Sequence, residues 1–600
     1  MDLLIDVLQV HLPKAVEAVR PHWVLIVSGI VLVVLLKVLL TVGGYRSGRN
    51  TATKISLEKP ATPHDAHEKF TGKTINFVDP RSGKSYGTEK SATPEEVNAC
   101  VARAKKAQVA WGKTSFEERR LVLCDLLEAI LANRDDICTA SMRDTGKTLA
   151  EAHLGEIMTT LEKIRYLINH GEDAIKPSHR RVPMAFAHRT ARVDYLPLGV
   201  IGAIIPWNYP AHSCFSPTVA ALFTGNAVVI KVSEYSSYSR AYLQTLCQSV
   251  LEKRGHSKEL VQFLPGHGDT GAALCKCPDI GKILFIGSPQ TGKRVMEACV
   301  TNLTPVILEL GGKDPFVITD DAELSWAASV AIRGSFINCG QNCIASERIF
   351  VHKKVYEQFV KIVVETMKST IQGENACDWG CMTMDLQLTK VEDLVNDAIA
   401  KGAKLLHGGK RNAALNKTGG LFFEPTILTD IKDDMRILHE ETFGPVMLIN
   451  VWEDEADLIA RINKCEFGLG ASVFSKNQAR AERIISQIES GMGVVNDFGL
   501  PYLLQDAPFG GCKQSGFGRF NGPEGLREFC RAQSVLGEVC WTPTAIKGPR
   551  LVSYPMLPVT PYAVQHMTTM FYGWGLSTKL GAVVSLLKVL IMGPPKNKQD

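Results

Sequence analysis

The sequence predicts an α/β protein, a doubly wound parallel sheet joined to a second α/β domain, preceded by an N-terminal transmembrane helix. Three observations carry this expectation. From Leu198 onward, short runs that are apolar throughout, VIGAII, AVVIKV, VQFLP, KILFI and PVILEL, alternate with segments long enough for helices. Strands buried on both faces and separated by helices have this pattern. The chain has 600 residues, more than a single core needs, so two or more domains are expected. Finally, Trp23 to Val42 is a twenty-residue apolar run with one charge, Lys37.

At about 1.5 Å per residue that run spans roughly the 30 Å of a bilayer core, with Trp23 where an interfacial aromatic belongs. Arg46, Arg49 and Lys54 follow it, against Lys14 and Arg20 before it. This bias places the rest of the chain in the cytoplasm, and the endoplasmic reticulum is the expected membrane. A cleaved signal peptide is the weaker reading, because Asp2, Asp6 and Glu17 precede the run where a basic region is normal. A buried core helix is weaker still, because the run is apolar on all sides and a polar, Gly- and Lys-rich stretch to about Phe70 follows it like a linker.

Beyond the linker, Thr93-Pro94-Glu95-Glu96 is a helix start, with a capping residue, Pro in the first turn and acids facing the dipole. Val97, Val101, Ala104, Ala107 and Trp111 then recur on one helical face, and a second helix is expected from Glu117 to about Arg134. The strand series follows, then mixed segments from about Gly312 to Gln505 and a tail rich in Pro and aromatics. In the tail, Ser577, Gly581, Ser585 and Lys588 form a polar stripe along an otherwise apolar run from Leu576 to Met592. That run is short for a span and reads as a helix lying in the membrane surface; a helix docked on the protein's own core is an equal alternative.

Composition excludes several functions. With 45% hydrophobic and 22% charged residues the chain is too apolar to be disordered. A net charge of +5 without basic blocks gives no footprint for nucleic acid. Sixteen irregularly spaced cysteines are too few for a disulfide scaffold and suit a reducing compartment. Gly266-His267-Gly268-Asp269-Thr270-Gly271 matches a dinucleotide fingerprint, but no acid stands convincingly about twenty residues on, so a tight strand-to-helix turn is the better reading.

A stronger constellation is spread along the chain. Pro206-Trp207-Asn208-Tyr209-Pro210, Lys231-Val232-Ser233-Glu234 and Phe285-Ile286-Gly287-Ser288 each end an apolar strand. They are followed by Glu309-Leu310-Gly311-Gly312-Lys313, Phe336 to Cys343 (FINCGQNC) and Glu441-Thr442-Phe443-Gly444-Pro445. These motifs resemble those of the aldehyde dehydrogenase superfamily from about Ile75 to Phe529, some three-quarters of the chain. Together with the N-terminal run they are most similar to its membrane-anchored fungal and plant branch, family 22.

The resemblance implies a division of the chain. Residues 1–22 flank the span at 23–42, a linker runs over 43–70, and an NAD-binding domain over 71–310 includes an oligomerisation hairpin at about 178–197. A catalytic domain follows at 311–505, an oligomerisation and C-terminal strand region at 506–540, and the tail, with its surface helix at 576–592, at 541–600. The implied enzyme is an NAD-linked dehydrogenase that oxidises small-molecule aldehydes to carboxylic acids as a homodimer or homotetramer, and the anchor favours lipid-derived aldehydes. An inactive membrane scaffold with the same fold is the alternative; a thioester-forming acylating enzyme is disfavoured by Glu309.

The implied roles make chemical sense. Cys343 is the nucleophile, since a thiolate is the natural attacking group near neutral pH. The Asn208 amide and the Cys343 backbone N–H stabilise the oxyanion, and Glu309 is the general base for thioester hydrolysis. Lys231 and Glu234 hold the adenosine ribose; a carboxylate there favours NAD, with NADP left open by Ser233. Gly287 and Ser288 receive the diphosphate at a helix start, Glu441 and Phe443 hold the nicotinamide riboside, and Trp207 completes the cofactor wall. Lys313 and Gln341 are framework or catalytic with equal weight, Cys339 is a packing or redox-sensitive neighbour, and no metal is implied. Tyr209, Asn342, Ile344 and Phe498 are candidate channel residues. Where relatives continue Lys-x-x-Glu with Thr-Pro, this chain has Tyr235-Ser236-Ser237-Tyr238, which puts the start of the next helix in question.

Overall fold

The computed structural model describes residues 70–374, 377–539 and 553–593. The expected span at 23–42 lies outside the described residues, as does the linker up to residue 69. Among the described residues no helix is long and apolar enough to cross a membrane.

All five apolar runs are strands of one sheet. Its order is Gly516–Phe517, Val306–Glu309, Ile280–Ile286, Val200–Ile204, Ala227–Val232 and Val261–Pro265. The last five are parallel and Gly516–Phe517 is antiparallel to its neighbour. Val200–Ile204, Ala227–Val232 and Val261–Pro265 are buried at every position, because helices cover both faces. Strand order reverses between Val200–Ile204 and Ile280–Ile286. Ligands of open α/β sheets bind beyond the carboxyl ends of the strands at such a switch.

A second sheet has seven strands in the order Lys404–His407, Thr426–Thr429, Val446–Trp452, Arg348–His352, Pro315–Ile318, Ser472–Phe474 and Val494–Val495. Only its first pair is antiparallel. A third sheet places Arg189–Pro197 between Ser178–Arg180 and Cys530–Glu538, all antiparallel. The hairpin read at about 178–197 is thus a real strand pair, extended by a strand from near the end of the family-like region.

Local signals hold up well. Helix Pro94–Trp111 starts with a full capping box between Thr93 and Glu96. The second helix is Phe116–Ala132, capped by Ser115. Gly266 ends Val261–Pro265 and helix Gly268–Lys276 follows at once, as a tight strand-to-helix turn requires. A short 3-10 turn, Glu234–Ser236, takes in the start of the Tyr235-to-Tyr238 segment, and helix Arg240–Lys253 begins without a side-chain cap of its own. A distant residue compensates: buried Asp144 accepts from the Tyr238 and Ser239 amides, each at 3.1 Å. Leu576–Met592 is a helix, as its polar stripe suggested.

Candidate active site

A cavity of about 580 Å³ opens at the strand switch, and its wall includes all eleven predicted site residues: Trp207, Asn208, Lys231, Ser233, Glu234, Gly287, Ser288, Glu309, Cys343, Glu441 and Phe443. Three strand ends deliver most of them. Val200–Ile204 leads to Trp207 and Asn208, Ala227–Val232 to Ser233 and Glu234, and Ile280–Ile286 to Gly287 and Ser288.

Glu309 ends its strand almost fully buried. Its Oε1 accepts from the Gly311 N–H at 3.3 Å, while the Gly312 N–H donates to Glu441 Oε1 at 3.0 Å. One glycine turn therefore holds two carboxylates. Gly311 has φ +75°, and a Cβ there would stand 2.1 Å from Glu441 Oε1, so a side chain would displace the acid. Burial pushes the Glu309 carboxyl up to about 7, against the lowering effect of the Gly311 amide and the Cys343 thiol. Burial and the charge of Glu347 raise Glu441 to about 8.

Cys343 follows helix Leu324–Phe336 through a backbone that turns left-handed at Asn338, Cys339 and Gly340, with φ of 54°, 55° and 68°. A Cβ on Gly340 would lie 2.1 Å from the Gly444 carbonyl oxygen. This turn removes Cys339 from any helical face shared with Cys343. Cys339 is instead buried against Met382, Leu388 and Val391. Cys343 opens onto the cavity yet lies deep in the protein, and burial, followed by the charges of Glu309 and Asp314, raises its thiol well above the ordinary range. The resting group is therefore a thiol, where the motif alone suggested a thiolate.

Asn208 is clamped by neighbours that spacing could not reveal. Its Nδ2 donates to the Gln341 carbonyl at 3.0 Å, leaving the second amide proton for an oxygen in the cavity. Its own carbonyl accepts from Lys147 Nζ at 2.8 Å and Asn338 Nδ2 at 3.0 Å. Lys147 in turn is paired with Glu156 at 2.6 Å, both side chains fully buried. Glu156 also accepts from the His212 N–H and the Ser141 hydroxyl. Lys147 and Glu156 escaped the sequence reading because they lie outside every motif and meet the site only through the fold.

Lys313 and Gln341 are framework. Lys313 binds Glu347 and donates to Thr442 Oγ1 at 2.8 Å, and Glu347 accepts from the Thr442 and Phe443 amides, fixing the segment that carries Glu441. Gln341 bridges Asn338 and Thr383. Phe443 then meets Trp207 edge-on, ring centroids 5.4 Å apart.

The other end of the cavity has the donor set of a nucleotide site. Lys231 Nζ lies 3.2 Å from Glu234 Oε2, and its pKa is lowered by burial, with Glu234 opposing. Ser288 caps helix Pro289–Cys299 and puts that helix's N-terminal amides at the wall beside Thr291. A carboxylate for ribose hydroxyls, a buried ammonium and a helix start for a diphosphate fit a dinucleotide. Of the four candidate channel residues, Tyr209 and Asn342 are in the wall; Ile344 and Phe498 are not. Ile344 packs with Leu469, Met492 and Phe509 in a cluster behind the wall, which it reaches through Phe509; Cys343 and Phe498 pack against the same cluster. Tyr502 and Phe520 face the cavity in their place.

A doubly wound nucleotide fold with a cysteine, a glutamate and an asparagine at its switch point describes a nucleotide-dependent oxidoreductase. The aldehyde dehydrogenase family model matches residues 67–535. An aldehyde dehydrogenase-like protein of Schizosaccharomyces pombe is 39% identical over 77% of this chain and 89% of its own. The 4,4'-diapolycopene aldehyde oxidase of Methylomonas sp is 34% identical over 76% of this chain and 84% of its own. Among solved structures, an aldehyde dehydrogenase of Mycobacterium tuberculosis complexed with NAD+ superposes with a TM-score of 0.74 at 29% identity, covering 79% of this chain and 97% of its own. The chain belongs to the aldehyde dehydrogenase family and is an NAD(P)-dependent oxidoreductase acting on the aldehyde group.

Proposed function

We propose that this chain is a membrane-anchored enzyme that oxidises aldehydes to carboxylic acids with NAD through a thiohemiacetal and a thioester on Cys343. The observation that carries this reading is the convergence of Cys343, Glu309 and Asn208 with Lys231, Glu234 and Ser288 in one cavity.

Because the Cys343 thiol rests protonated, its attack needs a proton acceptor, and Glu309 is the carboxylate beside it. The sulfur bonds to the carbonyl carbon and the thiol proton passes to Glu309. Negative charge developing on the former carbonyl oxygen is met by the free Asn208 amide proton and the Cys343 N–H, held in place by the Lys147 and Gln341 contacts. The bound nicotinamide dinucleotide supplies the hydride acceptor. The thioester left on Cys343 is attacked by water; Glu309, its first proton given up to solvent, takes one from that water, and the carboxylic acid leaves as the thiol re-forms. Glu234 disfavours a ribose 2'-phosphate and so favours NAD. The aromatic wall of Tyr209, Tyr502 and Phe520 supports an apolar, lipid-derived substrate, and the similar Methylomonas enzyme is named for 4,4'-diapolycopene aldehyde. The apolar run at 23–42 is the anchor, with the catalytic part in the cytoplasm at the endoplasmic reticulum.

The test is NAD reduction by the full-length, detergent-solubilised protein across short, long-chain and aromatic aldehydes. Turnover that disappears in Cys343→Ala is expected. An absence of turnover with every aldehyde, or unchanged turnover in the variant, would overturn the proposal.

A further inference from the structure

Helices Thr560–Tyr572 and Leu576–Met592 are joined by Gly573-Trp574-Gly575 and pack on each other, with no packing of comparable extent against the rest of the described chain. The second helix has three faces. Ala582 and Val589 are buried. Ser577, Gly581 and Lys588 line an exposed polar arc. Between these faces Leu576, Leu580, Val584, Leu587 and Ile591 recur every three or four residues as one continuous apolar arc, each more than half exposed. Trp574, in the joining turn, is 94% exposed, and Tyr572 beside it is exposed as well. An apolar stripe of this length with aromatics at its end is not a normal surface for a chain in water.

Charge indicates what covers it. From Cys540 to Gln599 there is no aspartate or glutamate, while Lys547, Arg550, Lys579, Lys588, Lys596 and Lys598 are all basic. A leucine-rich arc bordered by lysines, with Trp and Tyr at the boundary, suits an anionic bilayer surface. Seventeen residues make about 25 Å of helix, short of a bilayer core, so the helix lies along the membrane rather than through it.

We propose that the Thr560–Met592 helical hairpin embeds its Leu576–Ile591 stripe in the headgroup region of an anionic membrane, a second attachment independent of residues 23–42. It neither needs nor alters the chemistry at Cys343.

The test uses full-length protein reconstituted into vesicles of phosphatidylcholine alone or with phosphatidylserine, some carrying brominated acyl chains. Subtracting the emission of Trp574→Phe isolates that one indole. A blue-shifted Trp574 signal, quenched by bromine and more strongly with phosphatidylserine, is expected. Quenching should fall to the level of a water-exposed indole in Leu580→Gln/Leu587→Gln and weaken in Lys579→Glu/Lys588→Glu, with oxidation of a soluble aldehyde unchanged in both. Trp574 emission that stays water-like on both vesicles would overturn the proposal. So would shielding of Trp574 that depends on protein concentration and not on lipid, because a second copy would then be the cover.

Discussion

As the proposed base, Glu309 sits in an environment that sets when it can work. With its carboxyl pushed up to about 7, it is charged above that pH and protonated below it. Turnover limited by thioester hydrolysis should therefore fall about tenfold per pH unit below 7. Glu309→Gln should lose both steady-state turnover and the stopped-flow burst of NADH by on the order of a hundredfold or more, because Glu309 takes the thiol proton before the thioester forms and the water proton after it. A burst of about one NADH per Cys343 that survives in the variant would mean that another group takes the thiol proton and that Glu309 acts only in hydrolysis. At the other end of the cavity, Glu234→Gln removes a charge that opposes a 2'-phosphate. The KM for NADP should fall by roughly tenfold, about 1.4 kcal/mol, with kcat for NAD nearly unchanged.

Among elements, legibility tracked distance in sequence. Thr93 and Glu96 are three residues apart and their capping box was readable; so were the strands, whose burial on both faces leaves a signature within five residues. The six motif segments also declared the site: four lie at the carboxyl ends of strands of the first sheet, one follows helix Leu324–Phe336 and one leads into strand Val446–Trp452. What spacing could not supply is carried by partners brought together only by folding. The missing cap of helix Arg240–Lys253 comes from Asp144, and the Asn208 turn rests on Lys147 and Glu156. Phe498 looked like a channel residue by type, but it lies outside the cavity wall, beside Ile344 and Met492. Asp144→Ala should cost about 1–2 kcal/mol through the two lost amide bonds, read as a lower midpoint in denaturant. Glu95→Ala, an exposed first-turn acid, should cost well under 1 kcal/mol in the same assay.

For the molecule as a whole, the three-stranded sheet is the surface on which association is expected. Met184 and Phe186, between its first two strands, are 80% and 54% exposed, and Leu536 on the last strand is 75% exposed. Phe186→Asp should shift the protein from dimer or tetramer toward monomer in sedimentation, while Leu405→Asp, an exposed apolar residue of the seven-stranded sheet, should not. One pairing also governs the order in which the molecule is made. Gly516 and Phe517 pair with Glu309 and Leu308, so the edge of the strand that carries the base is closed by residues translated about two hundred positions later. At ribosomal rates of about 5–20 residues per second, the apolar run near the start has long left the exit tunnel when that edge is sealed. The nascent chain thus presents residues 23–42 before it has a finished active site, and a chain cut short before residue 517 lacks the strand that closes the edge beside Glu309.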